Sequence, residues 1–551
     1  MRPSLHGRSA LVLVALLLAP LRADAVSLLH ECRLACGGAI QRCRAAGGRQ
    51  GRCRHRTLAR CAERGLSACV ALPADFPRGA SVLEHHAGPT RAGVYVEPSL
   101  DPKTAARMRR DRRFKAPATG ASYAQPLFLD GGGTRDLVVV ATEENWVYAF
   151  DAATGVLFWK NRVGTPVPLR ELPCGNIDPL GITGTPAVDP ASRTIFLDAM
   201  TTPDGGTTKR HLVFGLSVDD GSVRPGYPVD VAARLADAGM AFDSAVQNER
   251  GALTILGDTL YVPYGGHFGD CGNYRGWVVG VPLAQPAPLR AWATAARGGG
   301  AWAPGGVASD GSAVWVATGN TFGASAWSGG EAVIRLAPGP AFSGLPADYF
   351  APPDWRMLDA GDVDIGGSGP VLFDVAGSVP SALAIALGKN GKAYLLDRAS
   401  LGGVGLGVAS ARVASDEIIN AAAAYRTPSG TYVAFKGAGT GCRNGPGDLA
   451  AIAIDPGSPP AIRPAWCARQ NGAGSPMVTT TDGASNAIVW SVGAEGDERL
   501  HGFDGATGAT VFAGGRRRDA MAGVARYVTP IAAKGRIYVG GTSALYAFAP
   551  R

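Results

Sequence analysis

The sequence predicts an all-β protein: an eight-bladed β-propeller, with seven blades as the alternative count, preceded by a small disulfide-rich helical hairpin. Three observations predict it. Short β-rich runs joined by tight turns recur from residue 116 to residue 551, most of them follow a leading strand marked by proline, and six closely spaced cysteines precede the repeats. The 77 glycines and 39 prolines follow no collagen period, and aromatic and β-branched residues are plentiful, which suits many short strands separated by turns.

Residues 1–25 read as a signal peptide: Arg2 and Arg8, an apolar run over 10–18, then the small-x-small site Ala23-Asp24-Ala25. The run is too short to span a bilayer, and no later stretch offers about twenty uninterrupted apolar residues, so no transmembrane anchor is expected. Cys32 follows Glu31, unlike the lipid-bearing cysteine of a lipoprotein. An exported protein, periplasmic or extracellular, is the expectation, and ten cysteines in such a chain favour disulfides.

In residues 26–70, Cys32, Cys36 and Cys43 fall within about 40° of one another on a helix. Gly47-Gly48 breaks that helix, and a second carrying Cys53, Cys61 and Cys69 folds back on it. Too little apolar surface is present to hold such a hairpin without disulfides. C-x-x-C is absent, which argues against zinc and against covalent haem. The hairpin is a candidate attachment module for a protein partner. Residues 71–115 lack periodicity and carry a basic run from Lys103 to Lys115, read as a solvated linker, with docking to an acidic surface as its alternative. Residues 1–115 hold 21 Lys and Arg against 8 Asp and Glu, leaving 32 against 37 for residues 116–551. The main body is therefore slightly acidic, and no nucleic-acid partner is expected.

The clearest repeat is Val147-Tyr148-Ala149-Phe150-Asp151-Ala152-Ala153-Thr154-Gly155. Its aspartate side chain can bond backbone N–H groups further along, and its glycine accepts the left-handed conformation that ends such a turn. Related cassettes begin near Leu212, Ala393, Ala451 and Leu500, with a truncated copy from Leu545. Pro126, Pro186, Pro304, Pro370, Pro476 and Pro530 mark leading strands; proline cannot donate to a ladder, so it suits the channel-facing edge of a blade. With less regular starts near Gly251 and Ala421, the spacing is roughly 50 to 65 residues per blade. The last copy lacks a strand, which a strand near 94–98 or near Ala118 would supply to close the ring.

The cassette at 146–160 resembles the repeat of the pyrroloquinoline quinone (PQQ) propellers, the quinoprotein alcohol dehydrogenase-like superfamily, which includes calcium-dependent dehydrogenases and non-enzymatic scaffolds. A longer stretch sharpens the resemblance. Gly298-Gly299-Gly300-Ala301-Trp302-Ala303-Pro304, followed by Thr318-Gly319-Asn320, is similar to the segment whose tryptophan lies beneath the quinone and whose asparagine binds Ca²⁺. Lys389-Asn390-Gly391, running into Leu395-Leu396-Asp397-Arg398, is similar to the motif whose basic residue contacts the quinone. Between them stand Asp359, Asp362 and Asp364, where the family places an aspartate base and often a second acidic ligand. The resemblance thus implies PQQ held by Trp302 and Lys389, Ca²⁺ held by Asn320 and Asp364, and Asp362 as the base. The chain departs from the family in having no adjacent cysteine pair. The stretch Asp270-Cys271-Gly272-Asn273-Tyr274-Arg275-Gly276 also lacks the glutamate ligand, leaving Asp270 or Asn273 as its substitute.

These chemical types suit one another. A planar anion needs an aromatic floor, a cationic clasp and a carboxylate able to take a hydroxyl proton. The implied activity is a PQQ- and calcium-dependent dehydrogenase acting on an alcohol or sugar, with an electron acceptor as partner. The alternative is a non-catalytic scaffold that presents rim loops to a protein or glycan. Cys174 with Cys271, and Cys442 with Cys467, are candidate disulfides, and His267 is read as a satisfied loop histidine with ligand or proton carrier as its alternative.

Overall fold

The innermost strands fall where the prolines mark them. Leu127–Leu129 follows Pro126, Ala187–Asp189 follows Pro186, Val371–Asp374 follows Pro370, Met477–Thr480 follows Pro476 and Ile531–Ala533 follows Pro530, while Ala308–Ser309 begins soon after Pro304. In this computed structural model, which describes residues 81–551 apart from 133, 134 and 443, eight antiparallel meanders follow one another as the blades of a propeller. They span residues 127–162, 187–230, 247–293, 308–351, 371–412, 423–468, 477–513 and 531–550, and are called blades one to eight below. The expected leader and cysteine hairpin lie outside the described residues.

Ring closure comes from upstream of the first blade. Met108–Arg110 and Ala116–Pro117 both pair antiparallel with Ala544–Pro550 and complete blade eight, close to the expected position near Ala118. Val94–Val96 does something else: it lies parallel to Met477–Thr480 on the inner edge of blade seven. The stretch expected as a linker is therefore, from residue 81 onward, part of the propeller, and the compact unit is Gly79–Arg551.

The physical reason lies in the inner strands, whose channel-facing edges carry unpaired backbone groups. Residues 82–97 supply partners to all eight blades. Val82 exchanges two backbone bonds with Phe128, and the carbonyls of Leu83, Pro89, Thr90, Ala92 and Gly93 accept from the amides of Val188, Ser309, Leu372, Ala424 and Val478. Arg91 donates to the carbonyls of Leu253 at 2.7 Å and Val307 at 2.6 Å, and Glu97 accepts from the Gly535 amide at 2.7 Å. This strap closes the channel from within.

The repeated turns have the expected chemistry. Asp151 accepts from the Ala153 and Thr154 amides at 3.2 and 2.9 Å, and Asp504 accepts from Ala506 and Thr507 at 3.1 and 2.9 Å. Gly155 closes its turn at φ +77°, where a Cβ would stand 2.6 Å from the Lys115 nitrogen. Tryptophans then lock neighbouring blades: Trp159 Nε1 donates to the Val218 carbonyl at 2.8 Å and Trp466 Nε1 to the Gly505 carbonyl at 2.9 Å.

Candidate functional site

A cavity of about 600 Å³ lies between the channel and the loops of the blades, with His85 of the strap in its lining. Trp302, Asn320, Asp362, Asp364, Lys389 and Asp270, the six residues singled out from the sequence, all line it. They arrive from separate places: Asp270 from blade three, Trp302 and Asn320 from blade four and the segment before it, Asp362 and Asp364 from the segment before blade five, and Lys389 from a turn within blade five. Asn273 is exposed and outside the lining.

Local conformation explains the convergence. The helix Trp355–Gly361 ends at Asp362, whose left-handed backbone (φ +53°) turns the chain so that Asp364 points inward. Buried Asp364 accepts from the Asn320 amide at 2.7 Å and pairs with Lys389 Nζ at 2.8 Å. Lys389 Nζ also lies 2.8 Å from the exposed Asp362 carboxylate. Gly319 permits this approach: a Cβ there would stand 2.6 Å from the Asp364 carboxylate and 3.0 Å from Trp302 Nε1. Asp359 stays behind the site, holding the Thr321 amide and hydroxyl, each at 2.7 Å.

Charge in the site is unevenly shared. Burial raises the Asp364 pKa, with the Lys389 ammonium opposing it. Burial works to lower Lys389, but Asp364 and Asp362 outweigh it and hold the ammonium charged. Asp270 accepts from the Tyr274 hydroxyl at 2.6 Å, and its carbonyl accepts from Arg297. Burial lowers His267 to about 4, so it is neutral, and its Nε2 lies 3.2 Å from the Ala245 carbonyl.

Sequence reasoning missed Arg250, Tyr274 and the wall around Tyr527. Arg250 places its guanidinium 5.3 Å from the Trp302 ring centroid, and Lys389 Nζ lies 5.5 Å from the same centroid. Among the described residues Arg250 makes no ion pair. It donates one long bond, to the Gly266 carbonyl at 3.4 Å, and its buried Nε has no partner. The available signal was Glu249-Arg250-Gly251 at the irregular start of blade three. Glu249 turns away to accept from the Gly184 amide, which leaves the arginine without its sequence neighbour's charge.

The expected calcium ligands fare differently. Among the described residues no three His, Cys, Asp or Glu side chains group to hold a metal ion. Asp364 is engaged by the Asn320 amide and Lys389, Asp270 by Tyr274, and Asp362 and Asp364 share the single Lys389 ammonium. This donor set does not fit Ca²⁺. The planar-anion side does fit, since an aromatic face carries one cation with no acid partner.

Both candidate disulfides form. Cys174–Cys271 ties the loop bearing Asn176 and Ile177 to the loop bearing Phe268 and Asp270, all four in the cavity lining, and Cys442–Cys467 staples blade six. No helix among the described residues is long and apolar enough to cross a membrane.

No protein-family model and no curated protein matches the sequence. Solved structures do match in fold. A quinohemoprotein alcohol dehydrogenase from Pseudomonas putida HK5 shares 12% identity, covering 86% of this chain and 80% of its own, with a TM-score of 0.59. One from Comamonas testosteroni shares 14% identity over 86% of this chain and 81% of its own, with a TM-score of 0.57. A europium-containing methanol dehydrogenase shares 14% identity over 85% of this chain and 98% of its own, with a TM-score of 0.58. Eight blades, the closing strands and these likenesses together establish that the chain shares its propeller fold with these alcohol and methanol dehydrogenases.

Proposed function

We propose that the protein is an exported, periplasmic or extracellular, quinoprotein-like oxidoreductase that holds PQQ flat against Trp302 and oxidises an alcohol or sugar, delivering electrons to a separate acceptor. The observation that carries this reading is Arg250, a cation over the Trp302 ring that makes no ion pair among the described residues. A half-buried cation with an unpartnered buried Nε favours an anion in the cavity, and the aromatic face beside it favours a flat one. Arg250 and Lys389 would clasp the carboxylates, Trp302 would stack on the ring system, and the Asn320 side chain, which makes no hydrogen bond among the described residues, would meet a polar edge.

When bound, the quinone would supply a two-electron acceptor. The chain's own part is to hold the substrate and manage its proton. Asp362, exposed and paired with Lys389, would take the hydroxyl proton of the substrate as the carbon–hydrogen bond breaks. Lys389 then keeps the carboxylate in one orientation. Because the donor set does not fit Ca²⁺, quinone binding is expected without added metal.

The test is a titration of purified apoprotein with PQQ, with and without Ca²⁺, followed by tryptophan fluorescence, alongside dye-linked oxidation of an alcohol and sugar panel. Saturable binding and turnover are expected, and Asp362→Asn should lose turnover at least a hundredfold while keeping the binding. Absence of saturable binding overturns the reading. A propeller that presents its rim to a protein or glycan partner would then remain.

A further inference from the structure

We propose that the part of the cavity built by Tyr123, Glu495, Arg526 and Tyr527 is a subsite for a polyhydroxylated substrate, a sugar or polyol, and not for a short-chain alcohol. The Trp302 wall comes from blades three to five; these four residues come from blade seven, the segment before blade eight and the segment before blade one. Nothing in the quinone-binding argument uses them.

Backbone conformation is the first observation. Four of the cavity-lining residues hold left-handed backbone without being glycine: Asp270 (φ +56°) and Asp362 (φ +53°) on the Trp302 wall, and Glu495 (φ +53°) and Tyr527 (φ +66°) here. Fourteen non-glycine residues do so among all those described, so the cavity is enriched in them. For a bulky residue such as tyrosine this is a genuine outlier, and such conformations persist only where the surroundings enforce them. They do so here: the Tyr527 amide donates to the Ala473 carbonyl, and its own carbonyl accepts from Ser475 Oγ at 3.0 Å and Thr529 Oγ1 at 3.3 Å. The Glu495 amide is likewise held by the Val524 carbonyl at 3.1 Å.

Chemistry is the second. Arg526 binds Glu495 in a forked pair, Nη2 to Oε2 at 2.7 Å and Nε to both carboxylate oxygens at 3.0 and 3.2 Å. The pair is close to half exposed, so the charges cancel while carboxylate lone pairs and guanidinium N–H groups still face the cavity. That is the donor and acceptor pattern of vicinal hydroxyls, and it does not ask for an ion. The Tyr123 hydroxyl has no hydrogen-bond partner among the described residues; burial, then Glu143 and Glu495, pushes its pKa up to about 12, so it stays a protonated donor. The two tyrosine rings offer flat faces to the C–H side of a pyranose or an extended polyol.

A short-chain alcohol would instead need a close apolar sleeve. Apart from Trp302 and the tyrosines, the larger apolar side chains in the lining are Ile177, Phe268 and Ile419, and Phe268 is 62% exposed. Oxidation of the bound sugar rests on the quinoprotein-like reading above; its binding does not.

The experiment uses the full chain without quinone and measures binding of D-glucose, D-mannitol, ethanol and 1-butanol by calorimetry or saturation-transfer NMR, with PQQ titrated separately. Glucose or mannitol should bind, the two simple alcohols should not, and Glu495→Gln should weaken sugar binding at least tenfold while leaving the PQQ titration unchanged. If Glu495→Gln fails to fold, Tyr123→Phe, which removes the free hydroxyl donor, decides on the same criterion. Sugar binding insensitive to both substitutions, or no sugar binding, overturns the proposal, as does butanol binding as tightly as glucose. Sugar binding that depends on these residues in a protein that takes up no PQQ upholds the subsite and removes the quinoprotein reading. Ethanol turnover with PQQ and no sugar binding does the reverse.

Discussion

Replacing Arg250 with methionine should move stability and ligand binding in opposite directions. Among the described residues Arg250 gives one long hydrogen bond, leaves Nε buried and unpaired, and makes no ion pair. A buried donor left unsatisfied costs about 1–3 kcal/mol, and methionine removes it while keeping an unbranched stem against Trp302. The lost cation–π contact offsets about 0.5–1 kcal/mol of that gain. The apoprotein should therefore gain on the order of 1 kcal/mol. A charge-assisted hydrogen bond to an anionic ligand contributes about 1.5–3 kcal/mol, so PQQ affinity should fall about 10- to 150-fold. Guanidinium denaturation of the apoprotein and a fluorescence titration with PQQ read the two effects. A variant less stable than the parent, or one that holds PQQ equally well, would refute the argument that an unpaired cation defines the site.

Two further perturbations probe the frame around it. Burial raises the Glu143 pKa to about 7, so stability from this group is fully present below pH 4.5 and is lost as pH rises through about 7, to about 3 kcal/mol at most. Glu143→Gln should be more stable than the parent at pH 8 and gain little at pH 5, and parallel denaturation midpoints at the two pH values would show that Glu143 ionises freely. Replacing Cys174 and Cys271 together by serine removes a link between residues 97 apart in sequence, worth up to about 4.7 kcal/mol by loop entropy, and frees the loop that carries Asp270. Weaker PQQ binding at unchanged blade structure is expected; unchanged affinity would show that the Arg297 contacts hold the loop alone.

The blades were legible because each carries its own chemistry. Asp151 and Asp504 build the same turn with the same bonds more than 350 residues apart, and the prolines sit on the inner edges where a missing donor is tolerated. The Trp302 to Lys389 wall was legible for a related reason: its residues occur in one stretch of about ninety, and the blade geometry brings them together. Arg250 and Tyr527 gave no comparable signal. Arg250 is conspicuous only because Glu249 turns to another partner, and Tyr527 only because its backbone is left-handed, and both are properties of the closed ring.

The strap over residues 82–97 shows the limit most clearly. Its basic, aperiodic neighbourhood reads as a linker because it holds only one short 3-10 turn, His85–Ala87, and three strand residues beside blade seven. It bonds briefly to each inner strand in turn, so no residue period records the contacts, and its partners are edges that exist only after eight blades have assembled. Arg91 is the extreme case: fully buried, it donates to carbonyls of blades three and four and to Glu84 of its own strap. A segment selected by the completed ring carries little local pattern, yet it sets the floor of the cavity through His85. What the pocket can admit is thus decided partly by the residues that looked least structured.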